Sequence, residues 1–136
     1  MKIAIIGRSE LLFDTTVLLL NSGYEIACIL TAKEAPEYKK KASDFRDLAK
    51  SIGVPFAQGS RISDFNQFFI EAKADIGVSI NYTGIVPIDV VKFFPLGILN
   101  AHGGDLPKYR GNACQAWAII KGEKRIGLCI HKMIGA

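Results

Sequence analysis

The chain has no apolar stretch approaching the roughly 20 residues that a membrane-spanning helix requires, because Asp14 interrupts the greasy Leu11 to Leu20 segment. A soluble protein is expected. A secretory leader is also missing, since one early lysine and a short apolar run ending at Gly7-Arg8 do not have its architecture, so the cytoplasm is the expected address. Cysteine is scarce: Cys28, Cys114 and Cys129 are odd in number and form no CxxC pair, which argues for reduced thiols, no disulfide and no metal site. No second or third glycine follows Gly7 at the spacing of a dinucleotide fingerprint, so Gly7-Arg8-Ser9-Glu10 is read as a turn that glycine permits. Charge of neither sign dominates: 17 basic against 13 acidic residues leave a net +4, which admits an anionic partner without establishing one. Repeats and low-complexity linkers are lacking as well, and 136 residues with 49% hydrophobic content suit one domain able to bury a core.

What is present alternates. Lys2–Gly7 is a compact apolar run ending on glycine, the pattern of a strand buried on both faces. Glu10–Asn21 follows as a helix with Leu11, Leu12, Thr15, Leu18 and Leu19 on its inner side and Ser22-Gly23 as its stop. A β-rich run, Tyr24–Thr31, leads through the polar stretch Ala32–Lys41 to a helix that Ser43 caps and that runs to about Ser51. Val54–Ala57 reads as a short strand, Ile62–Lys73 as an amphipathic helix, Ile76–Ile80 as a buried strand and Pro87–Phe93 as a short helix. Gly97–Asn100 predicts a strand, Ala101–Asn112 a Gly/Pro-rich loop, Ala113–Lys121 a helix and Arg125–Met133 a last strand. The order implies an α/β fold: a Rossmann-like open, mostly parallel sheet with helices on both faces, whose ligands sit beyond the carboxyl ends of the strands.

Three features carry candidate chemistry. Lys39-Lys40-Lys41, with Lys33 nearby, could touch phosphate, although a solvated loop is the simpler account of them and Tyr38 is the one aromatic interleaved with them. Asn100-Ala101-His102 is the strongest signal, because residues two apart in an extended chain point to one side. An amide N–H there can stabilise an oxyanion while a histidine accepts or relays a proton, a pair suited to acyl transfer onto an amine. The bland alternative makes Asn100 a turn cap and His102 a structural hydrogen-bonder. Cys129 and His131 share a face of the final strand, but two ligands do not make a zinc site, and Trp117 reads as a packing anchor.

The wider context is Asn100-Ala-His-Gly-Gly-Asp-Leu-Pro-Lys-Tyr-Arg-Gly111, then Gln115, Ala118-Ile119, Gly122 and Gly127-Leu-Cys-Ile-His-Lys-Met133. It resembles the N-terminal catalytic domain of the formyltetrahydrofolate-dependent formyltransferases, the family of methionyl-tRNA, sugar N- and glycinamide ribonucleotide formyltransferases. The resemblance spans residues 1–136 and implies transfer of a formyl group from 10-formyltetrahydrofolate to a primary amine through a tetrahedral intermediate. By similarity Asn100 would stabilise the oxyanion and His102 would manage the proton, while the segment Asn81–Pro87 would border the folate through the backbone of Gly84, Ile85 and Val86; the side chains of Ile85 and Val86 read more simply as core packing, with Pro87 opening a helix. The family's third catalytic member, an aspartate, would fall just past Ala136; Asp105 occupies a place usually apolar in the family and is not a substitute. On this reading the domain is truncated at its C-terminal end and need not turn over by itself. The resemblance puts methionyl-tRNA first as acceptor, since Gly-x-x-Glu and the basic connection fit that branch. An amino-sugar nucleotide comes second, and a non-catalytic ligand-binding domain on the same frame is the competing class. Glycinamide ribonucleotide is disfavoured because the first loop lacks a glycine- and serine-rich phosphate cradle. Oligomeric state cannot be read from the sequence.

Overall fold

A computed structural model describes residues 1–84, 86–103 and 128–132. Six strands form one sheet: β1 (Lys2–Gly7), β2 (Glu25–Thr31), β3 (Phe56–Gln58), β4 (Ile76–Ile80), β5 (Ile98–Gly103) and β6 (Leu128–Lys132), in the spatial order β3-β2-β1-β4-β5-β6. The pairings from β3 through β5 are parallel, and β6 runs antiparallel to β5. This is the Rossmann-like arrangement that the strand–helix alternation predicts. Among the described residues four α-helices accompany the sheet, α1 (Glu10–Asn21), α2 (Ala42–Ile52), α3 (Asn66–Ala72) and α4 (Ile88–Val91). No helix among the described residues is long and apolar enough to cross a membrane.

Strand β1 shows why a continuous apolar run belongs at the centre of such a sheet. Its alternate residues feed two cores: Ala4 and Ile6 pack with Leu30, Phe69, Phe94 and Ile98 on one face, and Ile3 and Ile5 with Leu12, Ile29, Phe45 and Ile80 on the other. Helices α1 and α2 cover the second face and α3 and α4 the first, so each helix needs only one apolar stripe. Burying a Leu, Ile or Phe side chain in either layer contributes about 1.5–3 kcal/mol before chain entropy is subtracted.

Several boundaries differ from the sequence reading, each for a local reason. In α1 the buried side chains are Leu12 and Thr16, whereas Leu18 is 65% exposed and Leu11 40% exposed, so the inner stripe is rotated from the one expected. Apolar residues surround this helix, and the choice falls to Thr16, whose hydroxyl donates to the Leu12 carbonyl at 2.8 Å and can therefore be buried without an orphaned polar atom. Helix α2 begins at Ala42 rather than after a Ser43 cap, because the Asp44 carboxylate accepts the Lys41 N–H at 2.8 Å and Glu34 accepts that of Ala42 at 3.0 Å. The expected helix over residues 62–73 is a 3₁₀ turn (Ile62–Phe65) followed by α3. Strand β3 starts two residues later than expected, and β6 covers all of the expected final strand that falls within the described residues. Strand β5 does not end at Asn100 but continues through Gly103, held by ladder pairing to β6. The expected helix over residues 113–121 and most of the loop over residues 101–112 lie outside the described residues.

The strand order reverses between β1 and β4, and that crevice is where an open α/β sheet offers a ligand site. Gly7, at the end of β1, has φ +137°, and a Cβ placed on it would lie 1.9 Å from the Ile80 carbonyl oxygen at the end of β4. Glycine is required both by the dihedral and by the close approach. Gly7→Ala is expected to lower stability by about 3 kcal/mol or more in urea titrations; a loss below about 1 kcal/mol would mean that the two strand ends separate without consequence.

Candidate active site

Asn100 and His102 both lie within β5. Residue 100 continues the face of Ile98, which is fully buried in the core containing Val86, Phe94 and Phe69. In the ladders Asn100 stands opposite Ser79 of β4 and His131 of β6, and His102 opposite Cys129. Alternation assigns positions 100 and 102 to one face of the strand, the side on which the segment after β4 packs. Asn100 is half-buried. Its neighbour Ser79 is fully buried, and the Ser79 hydroxyl has no hydrogen-bond partner among the described residues, which leaves a polar atom in an otherwise apolar wall. The side chains of His102, Cys129 and His131 lie outside the described residues, as does Asp105. Among the described residues no three metal-binding side chains come together.

The segment 81–86, expected to border a folate ring, is pinned from two sides. Asn81 has φ +56°, a left-handed conformation that asparagine tolerates better than most residues. Tyr82 donates its hydroxyl to the Gly59 carbonyl at 2.8 Å, and partial burial, aided by the charge of Asp64, pushes its phenol up to about 12. At Gly84 a Cβ would lie 2.2 Å from the Ser60 carbonyl oxygen, so the chain there presses directly on the loop after β3. Val86 is buried in the Ile98 core. The backbone at Gly84 is thus held against Ser60 and the side chain of Val86 within the core, while Ile85 lies outside the described residues.

The first loop plays a part that the sequence reading missed. Gly7 does permit the turn, as expected, but Arg8, Ser9 and Glu10 tie it to its neighbours. Ser9 is buried at φ +91° and accepts a hydrogen bond from the Asn81 amide at 3.0 Å, while the Arg8 backbone N–H donates to the Ile80 carbonyl at 3.0 Å. Glu10 accepts the backbone N–H groups of Lys39 and of Lys40, the latter at 3.0 Å. Its own backbone N–H contributes most to holding the Glu10 carboxyl below the usual value of 4.5; those of Lys40 and Lys39 and the Lys39 charge add to this, against some desolvation. The signal available in the sequence was the cluster of polar side chains immediately after β1 and immediately after β4, on the two lips of the crevice.

These contacts also sort the basic cluster. Lys40 sets its ammonium 4.3 Å from the centroid of the Phe13 ring, a cation–π contact, whereas Lys33, Lys39 and Lys41 are exposed. On the sheet face opposite Asn100, Leu11, Thr15 and Leu19 of α1 meet Val78, Ile80, Leu99 and Ala101 around an apolar groove of about 220 Å³. Cys28 is sealed in the core, and burial pushes its thiol up to about 12, which makes it an inert packing residue.

Comparison with known proteins bears on the family and the fold. The sequence model of the family described as "Formyl transferase" matches residues 1–135. The chain belongs to that family. Methionyl-tRNA formyltransferase of Ruminiclostridium cellulolyticum is 32% identical over 133 residues, covering 94% of this chain and 43% of the relative. Methionyl-tRNA formyltransferase of Syntrophus aciditrophicus is 32% identical over 137 residues, covering 97% and 44%. The chain therefore spans less than half the length of these relatives. Among solved structures, phosphoribosylglycinamide formyltransferase from Anaplasma phagocytophilum superposes with TM-score 0.75 at 20% identity, over 98% of this chain and 64% of that one. A formyltetrahydrofolate deformylase from Pseudomonas syringae pv. tomato does so with TM-score 0.74 at 17% identity, over 97% and 45%. At these identities the structural likeness speaks to the fold.

Two outcomes are expected from the loop contacts. Tyr82→Phe removes one hydrogen bond to Gly59 and lowers stability by about 1 kcal/mol in denaturant titrations, with amide exchange rising in the segment 81–84. Because the folded carboxyl of Glu10 titrates below 4.5, its stabilisation is complete above that pH and is lost as the pH falls through the lowered value. The stability difference between the protein and Glu10→Gln is accordingly constant above about pH 5.5 and shrinks on acidification; a difference that grew toward low pH would contradict the assignment.

Proposed function

We propose that this chain supplies the formyl-transfer centre of an enzyme that moves a formyl group from 10-formyltetrahydrofolate to a primary amine. The observation that carries the reading is the common face of positions 100 and 102 of β5, next to the pinned segment 81–86, in a chain of the formyl transferase family. In the proposed reaction the acceptor nitrogen attacks the formyl carbon, the new C–N bond forms, and the bond from that carbon to the folate nitrogen breaks. Asn100 donates an N–H to the oxygen that gains charge; His102 takes the proton lost by the amine, and the departing folate nitrogen is protonated. Gly84, Ile85 and Val86 border the folate ring, chiefly through backbone. Membership of the family favours this chemistry over a purely ligand-binding domain.

For the acceptor we favour methionyl-tRNA. The 32%-identical relatives bear that name, and Lys33, Lys39 and Lys41 expose positive charge on a loop held beside the crevice by Glu10, which suits a phosphate-rich acceptor. The first loop offers no glycine-rich cradle for a single nucleotide phosphate, since Ser9 and Glu10 spend their polar atoms on Asn81, Lys39 and Lys40.

Formyl transfer by the chain extended past Ala136, followed by mass detection, tests both layers. Asn100→Ala is expected to lower kcat about 10²–10³-fold and His102→Ala about 10²–10⁴-fold. Activity unchanged by either substitution removes that residue from the chemistry, and donor binding without transfer to any amine favours the non-catalytic alternative. Charge reversal at Lys39 and Lys41 is expected to weaken use of methionyl-tRNA and flatten its salt dependence. Equal or better turnover of an amino-sugar nucleotide or of glycinamide ribonucleotide overturns the acceptor assignment.

A further inference from the structure

The Arg8 side chain has no role in the chemistry proposed above, yet it contacts both loops that flank the crevice. Its Nε donates to the Asn81 carbonyl at 3.0 Å, its Nη1 donates to the Lys33 carbonyl at 3.2 Å, and its guanidinium carbon lies 5.0 Å from the centroid of the Tyr38 ring. The two carbonyls belong to different crossovers, one opening the basic loop 33–41 and the other opening the segment 81–84. The residue itself is fixed: its backbone N–H is bonded to Ile80, and Gly7 before it cannot move away from the end of β4 without breaking that contact. A planar fork on an anchored backbone transmits displacement, because its donors diverge to two carbonyls while the tyrosine ring lies against the same guanidinium.

We propose that Arg8 is a positioning residue that couples the basic loop 33–41 to the segment 81–84, so that the acceptor side and the donor side of the crevice become ordered together. Its kinetic consequence rests on the formyl-transfer reading; its mechanical content does not. Each loop also has a separate tie to the first turn, Glu10 for Lys39 and Lys40 and Ser9 for Asn81, which set where each loop sits. Arg8 adds the link between them. A substrate that immobilises one loop then lowers the entropic cost of binding at the other, which is positive coupling between acceptor and donor with no change of fold.

Amide hydrogen exchange on the protein, Arg8→Ala, Arg8→Lys and Tyr38→Leu tests the coupling without requiring turnover. In Arg8→Ala, exchange is expected to rise about tenfold or more in residues 33–41 and 81–84 together, with strands β1, β2 and β4 unchanged. Arg8→Lys is expected to fall short of the original protection, since one ammonium cannot hold two separated carbonyls and lie flat on a ring. Tyr38→Leu leaves Arg8 in place and is expected to loosen residues 81–84 as well as its own loop, and it serves if Arg8→Ala folds poorly. Loosening confined to one loop in Arg8→Ala, full protection of both loops in Arg8→Lys, or undisturbed residues 81–84 in Tyr38→Leu would each overturn the coupling. In formyl transfer, Arg8→Ala is expected to raise KM for both donor and acceptor several-fold with kcat within about threefold; a rise for one substrate alone would also overturn it. Absence of transfer by the unsubstituted protein extended past Ala136 would refute the functional reading and leave the exchange result to decide on Arg8.

Discussion

The approach of the first strand's end to the fourth strand's last carbonyl is the constraint from which the rest of the site follows. Gly7 lies against Ile80 where no side chain can intervene, and this closes the sheet at the point where the chain's direction of winding reverses. Everything polar near the crevice is arranged around that closure. Arg8 and Ser9 emerge from it on one side and Asn81 from the other, and their hydrogen bonds join two crossovers that would otherwise be independent loops. Asn100 then sits one strand further on, brought level with Ser79 by parallel pairing, so its depth in the crevice is set by ladder register rather than by a loop.

The two cores explain how a site can be held this way in a small domain. Strands buried on both faces leave their backbone groups paired within the sheet, and side-chain polar groups that enter these layers need partners of their own. Thr16 meets that need by bonding back to its own helix. Thr31 and Ser79 are different: among the described residues neither hydroxyl has a hydrogen-bond partner, and that of Ser79 is enclosed opposite Asn100, on the face that carries the proposed chemistry. A polar atom retained in such a position costs stability that an alanine would not.

Much of the architecture was legible in the sequence because it depends on period and punctuation. Lys2–Gly7, Glu10–Asn21 and Ile76–Ile80 have the boundaries that their apolar runs and glycine or serine stops imply. Legibility failed where a choice depended on contacts between distant residues. The inner stripe of α1 could not be read from a helix apolar on several sides, and the start of α2 was displaced by acceptors from Asp44 and Glu34. The length of β5 was underestimated because pairing with β6, remote in sequence, extends it. At the site, Asn100 and His102 stood out because their chemistry is uncommon side by side. Arg8, Ser9, Asn81 and Tyr82 did not, because each bonds across at least 23 residues of sequence or across the crevice, and neither spacing nor composition carries that information.

The antiparallel run of β6 has a further consequence. Gly103 and Leu128 face each other across one rung of the ladder, which gives β5 a paired neighbour on each edge. Asn100 is thereby held by two ladders of opposite sense, Ser79 on one side and His131 on the other. A slip of β5 by a single residue would have to break both at once, and it would carry the amide to the opposite layer.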